Sequence, residues 1–114
     1  MKYMLLIYLE EKNWATLTEQ ARQDIYAEYR RFSEDIVASG HYISGSELLP
    51  VAMATSVRVR DGKVLSTDGP FAETKEQLGG YYLVEAKDLD EATALAARIP
   101  SSRDGTIEVR PLAE

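Results

Sequence analysis

The sequence predicts an α+β fold in which helices cover one face of an antiparallel sheet. Three observations support this class: an apolar, strand-like run near the N-terminus, two capping motifs that each precede a helical apolar pattern, and a β-hairpin signal between them. A chain of 114 residues with 45% apolar and 28% charged side chains is typical of one globular domain, residues 1–114, with its own core.

The composition also narrows the possible functions. The chain has no cysteine, which excludes a disulfide framework, a thiolate metal site and a catalytic thiol. Its longest apolar run, residues 3–9, is far shorter than the roughly 20 residues that cross a bilayer, and no signal-peptide cleavage site follows it. A net charge of −6 disfavours nucleic acid and anionic membranes as partners. We therefore expect a soluble, cytoplasmic protein.

The first part of the chain predicts a strand and a long helix. Residues 3–9 are apolar on both faces, which is typical of a strand covered on both sides. Residues 16–19 form a capping box with Thr16 as the N-cap or, alternatively, Thr18. The helix then has one apolar face, formed by Ala21, Ile25, Tyr29, Phe32 and Ile36. Gly40 ends the helix, because glycine accepts the left-handed conformation found there.

The rest of the chain predicts more strands and a second helix. Residues 41–49 and 80–84 form strands, and Asp61 with Gly62 is a two-residue turn within a hairpin at 55–67. Residues 88–91 form a second capping box. The inward positions of the helix that follows are Leu89, Ala92, Leu95, Ala96 and Ile99. A last strand spans 106–110, and Pro111 suits a sheet edge, because proline cannot donate to a ladder.

This order of elements predicts a specific architecture. Without the inserted β-hairpin it reads βαββαβ, the ferredoxin-like pattern, with both helices on one face of the sheet. The strands at residues 3–9 and 80–84 also carry apolar side chains on the other face. A second copy packed on that face would cover them. We therefore predict a homodimer whose two sheets form a dimeric α+β barrel around a cleft.

Few residues fit a metal or cofactor site. With one histidine and no cysteine the chain has no metal-ligand spacing, so we expect neither a metal nor a cofactor. Gly79 and Gly80 precede a strand and therefore do not form a phosphate loop. His41 directly follows Gly40 and is interpreted as a surface or capping residue. A role in a site is the alternative, because histidine titrates near neutral pH.

The polar loop of residues 67–81 is the main candidate for a site. It begins with an Asp-Gly-Pro turn, after which Phe71 is expected to anchor the loop in an apolar pocket. Asp68 and Glu73 are the candidate catalytic residues, because burial in a cleft tunes a carboxylate for acid–base chemistry. Lys75 would enter the cleft with them. The alternative is an anchored loop with a solvated, charged tip.

Basic and aromatic side chains complete the predicted site. Arg58, Lys75 and Arg110 could hold the carboxylate or phosphate of a small anionic ligand. Tyr81 could line the cleft with its phenol. The alternative is that the arginines are solvated and that the tyrosines at positions 3, 8, 81 and 82 form the core of the barrel and of the dimer.

Three segments of the chain carry specific motifs. The most specific is TDGPFAETKE at residues 67–76, followed by LGGYY at 78–82 and EVRP at 108–111. Together these segments resemble the DGPF branch of the YCII-related domain family. The resemblance covers nearly the whole chain and implies a ferredoxin-like protomer, a dimeric α+β barrel and bacterial origin, but no established reaction. A histidine on the first helix and an Asp-Pro pair, proposed as an acid–base site in some relatives, are replaced here by Tyr29 and by Ile99-Pro100.

Two functions are therefore expected. The first is a small-molecule cleft in a homodimer, with cofactor-free acid–base chemistry of the lyase or isomerase type. The alternative is a non-enzymatic regulatory or interaction module. The resemblance implies this second function, because relatives in the DGPF branch are linked to extracytoplasmic-function sigma factors as partners or neighbours.

Overall fold

The computed structural model describes residues 1–114 and confirms an α+β fold of the ferredoxin-like type. Its strands are β1 (Lys2–Leu9), β2 (Tyr42–Glu47), β3 (Thr55–Arg60), β4 (Lys63–Asp68), β5 (Gln77–Glu85) and β6 (Thr106–Pro111). Its helices are α1 (Glu11–Ala15), α2 (Glu19–Ala38) and α3 (Leu89–Ala97), with single 3₁₀ turns at Val51–Met53 and Pro100–Arg103. No helix is both long enough and apolar enough to span a membrane.

The main sheet has four antiparallel strands in the order β2-β5-β1-β6. The first and third strands of the βαββαβ order, β1 and β5, therefore lie at its centre. The predicted edge position of Pro111 is confirmed, because it pairs with Tyr3 on the outermost strand β6.

The protein core lies on the face of the sheet that carries α2 and α3. Alternate residues of β1 and β5 meet the two helices there, and Leu5, Ile36, Val84 and Ile99 are completely buried. The other core members are Tyr3, Ile7, Phe32, Tyr82, Ala86, Ala92, Leu95 and Ala96. Leu89 was predicted to point inward but is 55% exposed, because it lies in the first turn of α3, before the buried Ala92.

The opposite face of the sheet is not covered by any element of the chain. Met4, Leu6 and Tyr8 of β1 and Tyr81 and Leu83 of β5 alternate with core residues and are only half-buried. Tyrosines 3 and 82 thus belong to the protomer's own core, whereas tyrosines 8 and 81 lie on the uncovered face. The homodimer that would cover this face stays a prediction.

The helix ends follow the predicted capping chemistry, with one change. Thr18, the alternative N-cap, caps α2 by accepting a hydrogen bond from the amide of Ala21 at 3.1 Å. Thr16 instead ends the short helix α1, where its hydroxyl donates to the carbonyl of Asn13. Gly40 follows α2 with a φ of 81°, as expected.

The predicted β-hairpin forms a separate two-stranded sheet, β3-β4. Its turn residues Asp61 and Gly62 both have positive φ, 52° and 74°, which matches the twist of a two-residue hairpin. Every residue of β4 is exposed. The hairpin projects from the body of the chain, so the radius of gyration is 16.0 Å, against about 13 Å for a compact chain of this length.

Candidate functional site

A cavity of about 680 Å³ lies between the first half of α2 and the sheet. The apolar face of α2 divides into two parts. Phe32 and Ile36, nearer the C-terminal end, are buried against the sheet, whereas Ile25 and Tyr29, nearer the N-terminal end, line the cavity. The helix therefore forms the roof of the cavity with the same apolar face that packs into the core.

Strands β1, β2 and β5 form the floor of the cavity, and two glycines allow these strands to lie close together. A Cβ at Gly80 would lie 2.8 Å from the carbonyl oxygen of Ser46, and a Cβ at Gly45 would lie 2.8 Å from Cδ1 of Tyr82. A larger residue at either position would displace backbone or the tyrosine ring. The remaining floor and rim residues include Ile7, Leu9, Glu47, Leu48, Leu49 and Pro50.

Two hydroxyl pairs lie inside the cavity and link α2 to the structure beneath it. The phenol of Tyr29 donates to Oγ of Ser101 at 2.6 Å, and the hydroxyls of Ser33 and Tyr82 are 2.7 Å apart. Burial raises the pKa of both tyrosines above its ordinary value of 10. Both phenols are therefore protonated at neutral pH and act as neutral hydrogen-bonding groups.

The rim of the cavity combines Trp14, Tyr26 and Glu47. The ring of Trp14 meets that of Tyr26 edge-on, with 5.4 Å between the ring centres. The phenol of Tyr26 donates to Oε1 of Glu47 at 3.1 Å, which joins α2 to the end of β2. Partial burial, together with the hydrogen bond and charge of Glu47, raises the pKa of Tyr26, so this phenol also stays protonated at neutral pH.

Two side-chain contacts hold α1 at this rim. The guanidinium of Arg22 donates to the carbonyl oxygens of Trp14 and Ala15 at 3.0–3.3 Å. The two carboxylate oxygens of Glu11 accept hydrogen bonds from the amide of Val51 at 3.0 and 3.2 Å. The charged groups of Arg22 and Glu11 therefore stabilise the rim through hydrogen bonds to its backbone.

The loop residues predicted for the site do not reach this cavity. Asp68, Glu73 and Lys75 are exposed and none of them lines it. The ammonium of Lys75 lies 3.9 Å from the carboxylate of Glu10. Phe71 is 81% exposed, so the prediction that its ring lies in an apolar pocket is wrong for the single chain. The loop follows the projecting hairpin, which leaves the ring in solvent.

The other predicted ligand-binding residues are also dispersed. Arg58 is exposed on the hairpin, and Arg110 is exposed on β6 at the far edge of the sheet. Tyr81 contributes to the cavity lining from β5, between Gly80 and Tyr82, although its strand position alternates with theirs and belongs to the uncovered face of the sheet. The fold therefore brings one residue of the predicted site to the cavity, and the roles assigned to the others stay predictions.

His41 has the contacts of a structural residue. Its Nδ1 lies 2.7 Å from the hydroxyl of Ser39 at the end of α2, and its Nε2 lies 3.1 Å from the carboxylate of Glu91 in α3. The same carboxylate accepts a hydrogen bond from the amide of Lys87, which with His41 lowers the pKa of Glu91. These contacts join the two helices and match the capping interpretation. No three histidine, aspartate or glutamate side chains are placed to hold a metal ion.

The sequence reasoning missed Trp14, Tyr26 and Glu47. Trp14 lies in the short helix α1, which was not predicted from the sequence. Tyr26 stands beside Ile25 and therefore just off the predicted apolar face of α2. The available signal was the number of aromatic residues in and near α2, including the one tryptophan of the chain.

Comparison with known proteins identifies the family of the chain. The YCII-related domain matches residues 1–114, the full length of the chain. The chain belongs to the YCII-related domain family. An uncharacterised protein of Rhizobium meliloti (strain 1021) is 33% identical over 115 residues, which cover 99% of this chain and 93% of the relative. Assignment of this YCII-related protein to the DGPF branch stays a prediction.

Membership of the YCII-related family draws attention to Tyr29 and to the Ile99-Pro100 pair. The sequence resemblance placed these residues where some relatives have a proposed acid–base histidine and an Asp-Pro pair. In this YCII-related protein Tyr29 contacts Ser101, the residue after Pro100. The two segments therefore meet at the cavity, but they bring a pair of hydroxyls together.

Proposed function

We propose that this YCII-related protein binds a small molecule in the cavity beneath α2 and works as a homodimer in the bacterial cytoplasm. The observation that carries the proposal is the cavity itself. Its volume of about 680 Å³ is in the range of small-molecule sites, roughly 300–1,000 Å³. Its lining is mainly aromatic and aliphatic, with a few hydroxyls and carboxylates, which is the usual composition of such a site.

The homodimer is supported by the uncovered face of the main sheet. Five large side chains on β1 and β5 lie half-buried there without a covering layer: Met4, Leu6, Tyr8, Tyr81 and Leu83. Exposed apolar patches of this kind mark interaction surfaces. Light scattering after size-exclusion chromatography should give twice the mass of the 12.8 kDa chain. A monomer at micromolar concentration would refute this part of the proposal.

The proposed chemistry is cofactor-free acid–base catalysis, with Asp68 and Glu73 as the proton-transfer groups. Both carboxylates are exposed and lie away from the cavity in one chain. They could therefore serve only a site that a second subunit completes, with Arg58, Lys75 and Arg110 binding an anionic substrate. Asp68→Asn and Glu73→Gln should each abolish turnover of an identified substrate. Unchanged turnover in both variants would refute Asp68 and Glu73 as the proton-transfer groups.

The binding proposal can be tested with a neutral aromatic probe, 2-naphthol, by isothermal titration calorimetry. We expect one molecule bound per chain. Ile25→Lys should weaken binding at least tenfold, because it places a charge in the apolar roof of the cavity. Val37→Lys is the matched control, since Val37 lies on the same helix and is 57% exposed. No binding to the unmodified protein at millimolar probe would refute a small-molecule site.

The projecting hairpin favours a second candidate function, a regulatory module that contacts an acidic partner protein. Arg58, Arg60 and Lys63 are all exposed on it. A pull-down with an extracytoplasmic-function sigma factor encoded nearby should recover the partner with the unmodified protein and lose it with Arg58→Ala/Arg60→Ala. Equal recovery with both proteins would count against the hairpin as the contact.

A further inference from the structure

We infer that the cavity beneath α2 selects aromatic ligands that carry an ammonium or another hydrogen-bond-donating group, which Glu47 receives, and that it discriminates against carboxylates and phosphates. This inference rests on the proposed small-molecule function and concerns the chemical class of the ligand. It reverses the charge expected for the ligand from the sequence, where arginines and a lysine were assigned to an anion.

The lining explains the preference for an aromatic ring. Six aromatic residues contribute to it: Trp14, Tyr26, Tyr29, Tyr42, Tyr81 and Tyr82. Aromatic rings stack on or meet each other edge-on with a gain of about 0.5–1.5 kcal/mol beyond simple burial. Every buried side-chain nitrogen and oxygen already has a hydrogen-bond partner. Contact between aromatic rings, and not an unsatisfied buried polar group, therefore favours ligand binding.

The charged side chains of the lining explain the discrimination against anions. They are Glu11, Lys12 and Glu47. Both carboxylate oxygens of Glu11 already accept hydrogen bonds from the amide of Val51. The ammonium of Lys12 lies 3.6 Å from the carboxylate of Glu10, and its side chain is 80% exposed. No arginine lines the cavity. The guanidinium of Arg22 at the rim donates to the carbonyl oxygens of Trp14 and Ala15, so the lining itself offers an anionic ligand no free cation.

Glu47 is the group that can receive a donor or a cation. Its Oε1 accepts the hydrogen bond from Tyr26, and this neutral phenol leaves the negative charge of the carboxylate uncompensated. A carboxylate has two oxygens, each able to accept further hydrogen bonds. Tyr26 therefore holds Glu47 in place while the second oxygen stays available at the rim. Trp14 and Tyr26 line the same cavity as Glu47, and aromatic rings attract positive charge.

The experiment compares three ligands with the same ring and different charge: 2-naphthylmethylamine, 2-naphthalenemethanol and 2-naphthoate. Calorimetric titration at pH 7 should show the amine binding at least tenfold more tightly than the carboxylate, which corresponds to about 1.4 kcal/mol. The alcohol should fall between them. Glu47→Gln should remove the advantage of the amine over the alcohol, because it removes the negative charge and keeps the shape.

The matched control is Glu108→Gln, which removes a carboxylate from the exposed edge strand β6 and should leave the order of affinities unchanged. Naphthoate binding as tightly as the amine would overturn the inference and leave the proposed binding function intact. A preference for the amine that persists in Glu47→Gln would also overturn it, since another group would then be responsible. Failure of all three ligands to bind would overturn the proposed function together with this inference.

Discussion

The hydroxyl pair between Ser33 of α2 and Tyr82 of β5 is one of the contacts that join the roof of the cavity to its floor. The two oxygens are 2.7 Å apart, at the usual length for a hydrogen bond between hydroxyls, and the pair is partly buried. Tyr82→Phe removes one hydroxyl and keeps the ring that packs against Phe32, whose centre is 5.2 Å away. Ser33→Ala removes the other hydroxyl with little change in volume.

Each single substitution should lower the free energy of unfolding by about 0.5–1.5 kcal/mol, the net contribution of a hydrogen bond of this kind. The double variant should lose less than the sum of the two single losses, because the same bond is removed in both. We expect a coupling energy of about 1 kcal/mol, which exceeds the roughly 0.3–0.5 kcal/mol scatter seen for independent sites.

The coupling can be measured from urea unfolding of the four proteins at one protein concentration, since a dimer makes apparent stability depend on concentration. Tyr81→Phe is the matched control, because this neighbouring tyrosine lies on the opposite face of the sheet and borders no hydroxyl partner. It should change the stability by less than about 0.5 kcal/mol. Additive effects of the Ser33 and Tyr82 substitutions would refute the reasoning that this pair holds α2 over the cavity.

Three further predictions test the site and the interface. Gly45→Ala should destabilise by about 1–3 kcal/mol in urea unfolding and disturb the cavity, because its Cβ would meet the Tyr82 ring at 2.8 Å; unchanged stability would contradict this. Burial raises the pKa of Tyr29, so the protonated phenol stabilises the fold fully below pH 10, and this contribution is lost as the pH rises through the higher folded value. Unfolding measured from pH 8 to 11 should therefore show a shallower alkaline loss of stability in Tyr29→Phe than in the unmodified protein, and equal slopes would contradict the assignment. Leu6→Lys should convert the proposed dimer to a monomer in light scattering, whereas Val37→Lys should not; a dimeric Leu6→Lys would place the interface elsewhere.

Much of the fold was predictable because local chemistry and tertiary structure agree. The turn at Asp61 and Gly62 forms with positive φ at both residues, and Gly40 adopts the left-handed conformation after α2. The apolar spacing in α2 identified Phe32 and Ile36 as core residues. These features depend on contacts within a few residues or on helical periodicity, and both can be read from a single sequence.

The candidate site was not predictable in the same way. The loop at residues 67–81 has the greatest density of charged and turn-forming residues, but it follows a hairpin that projects from the body of the chain. Its carboxylates therefore lie in solvent. Lining residues such as Ile25 and Tyr29 are ordinary members of an apolar pattern, and nothing in their spacing distinguishes a residue that packs from one that faces empty space.

Periodicity, caps and turns were sufficient to determine the strands, the helices α2 and α3 and their order, but not the short helix α1. They could not determine the distance between α2 and the sheet. Ile25 and Phe32 belong to the same helical face, yet one lines the cavity and the other is buried. That difference arises where the whole helix meets the strands, because core side chains fill the space beneath Phe32 and Ile36 but not the space beneath Ile25.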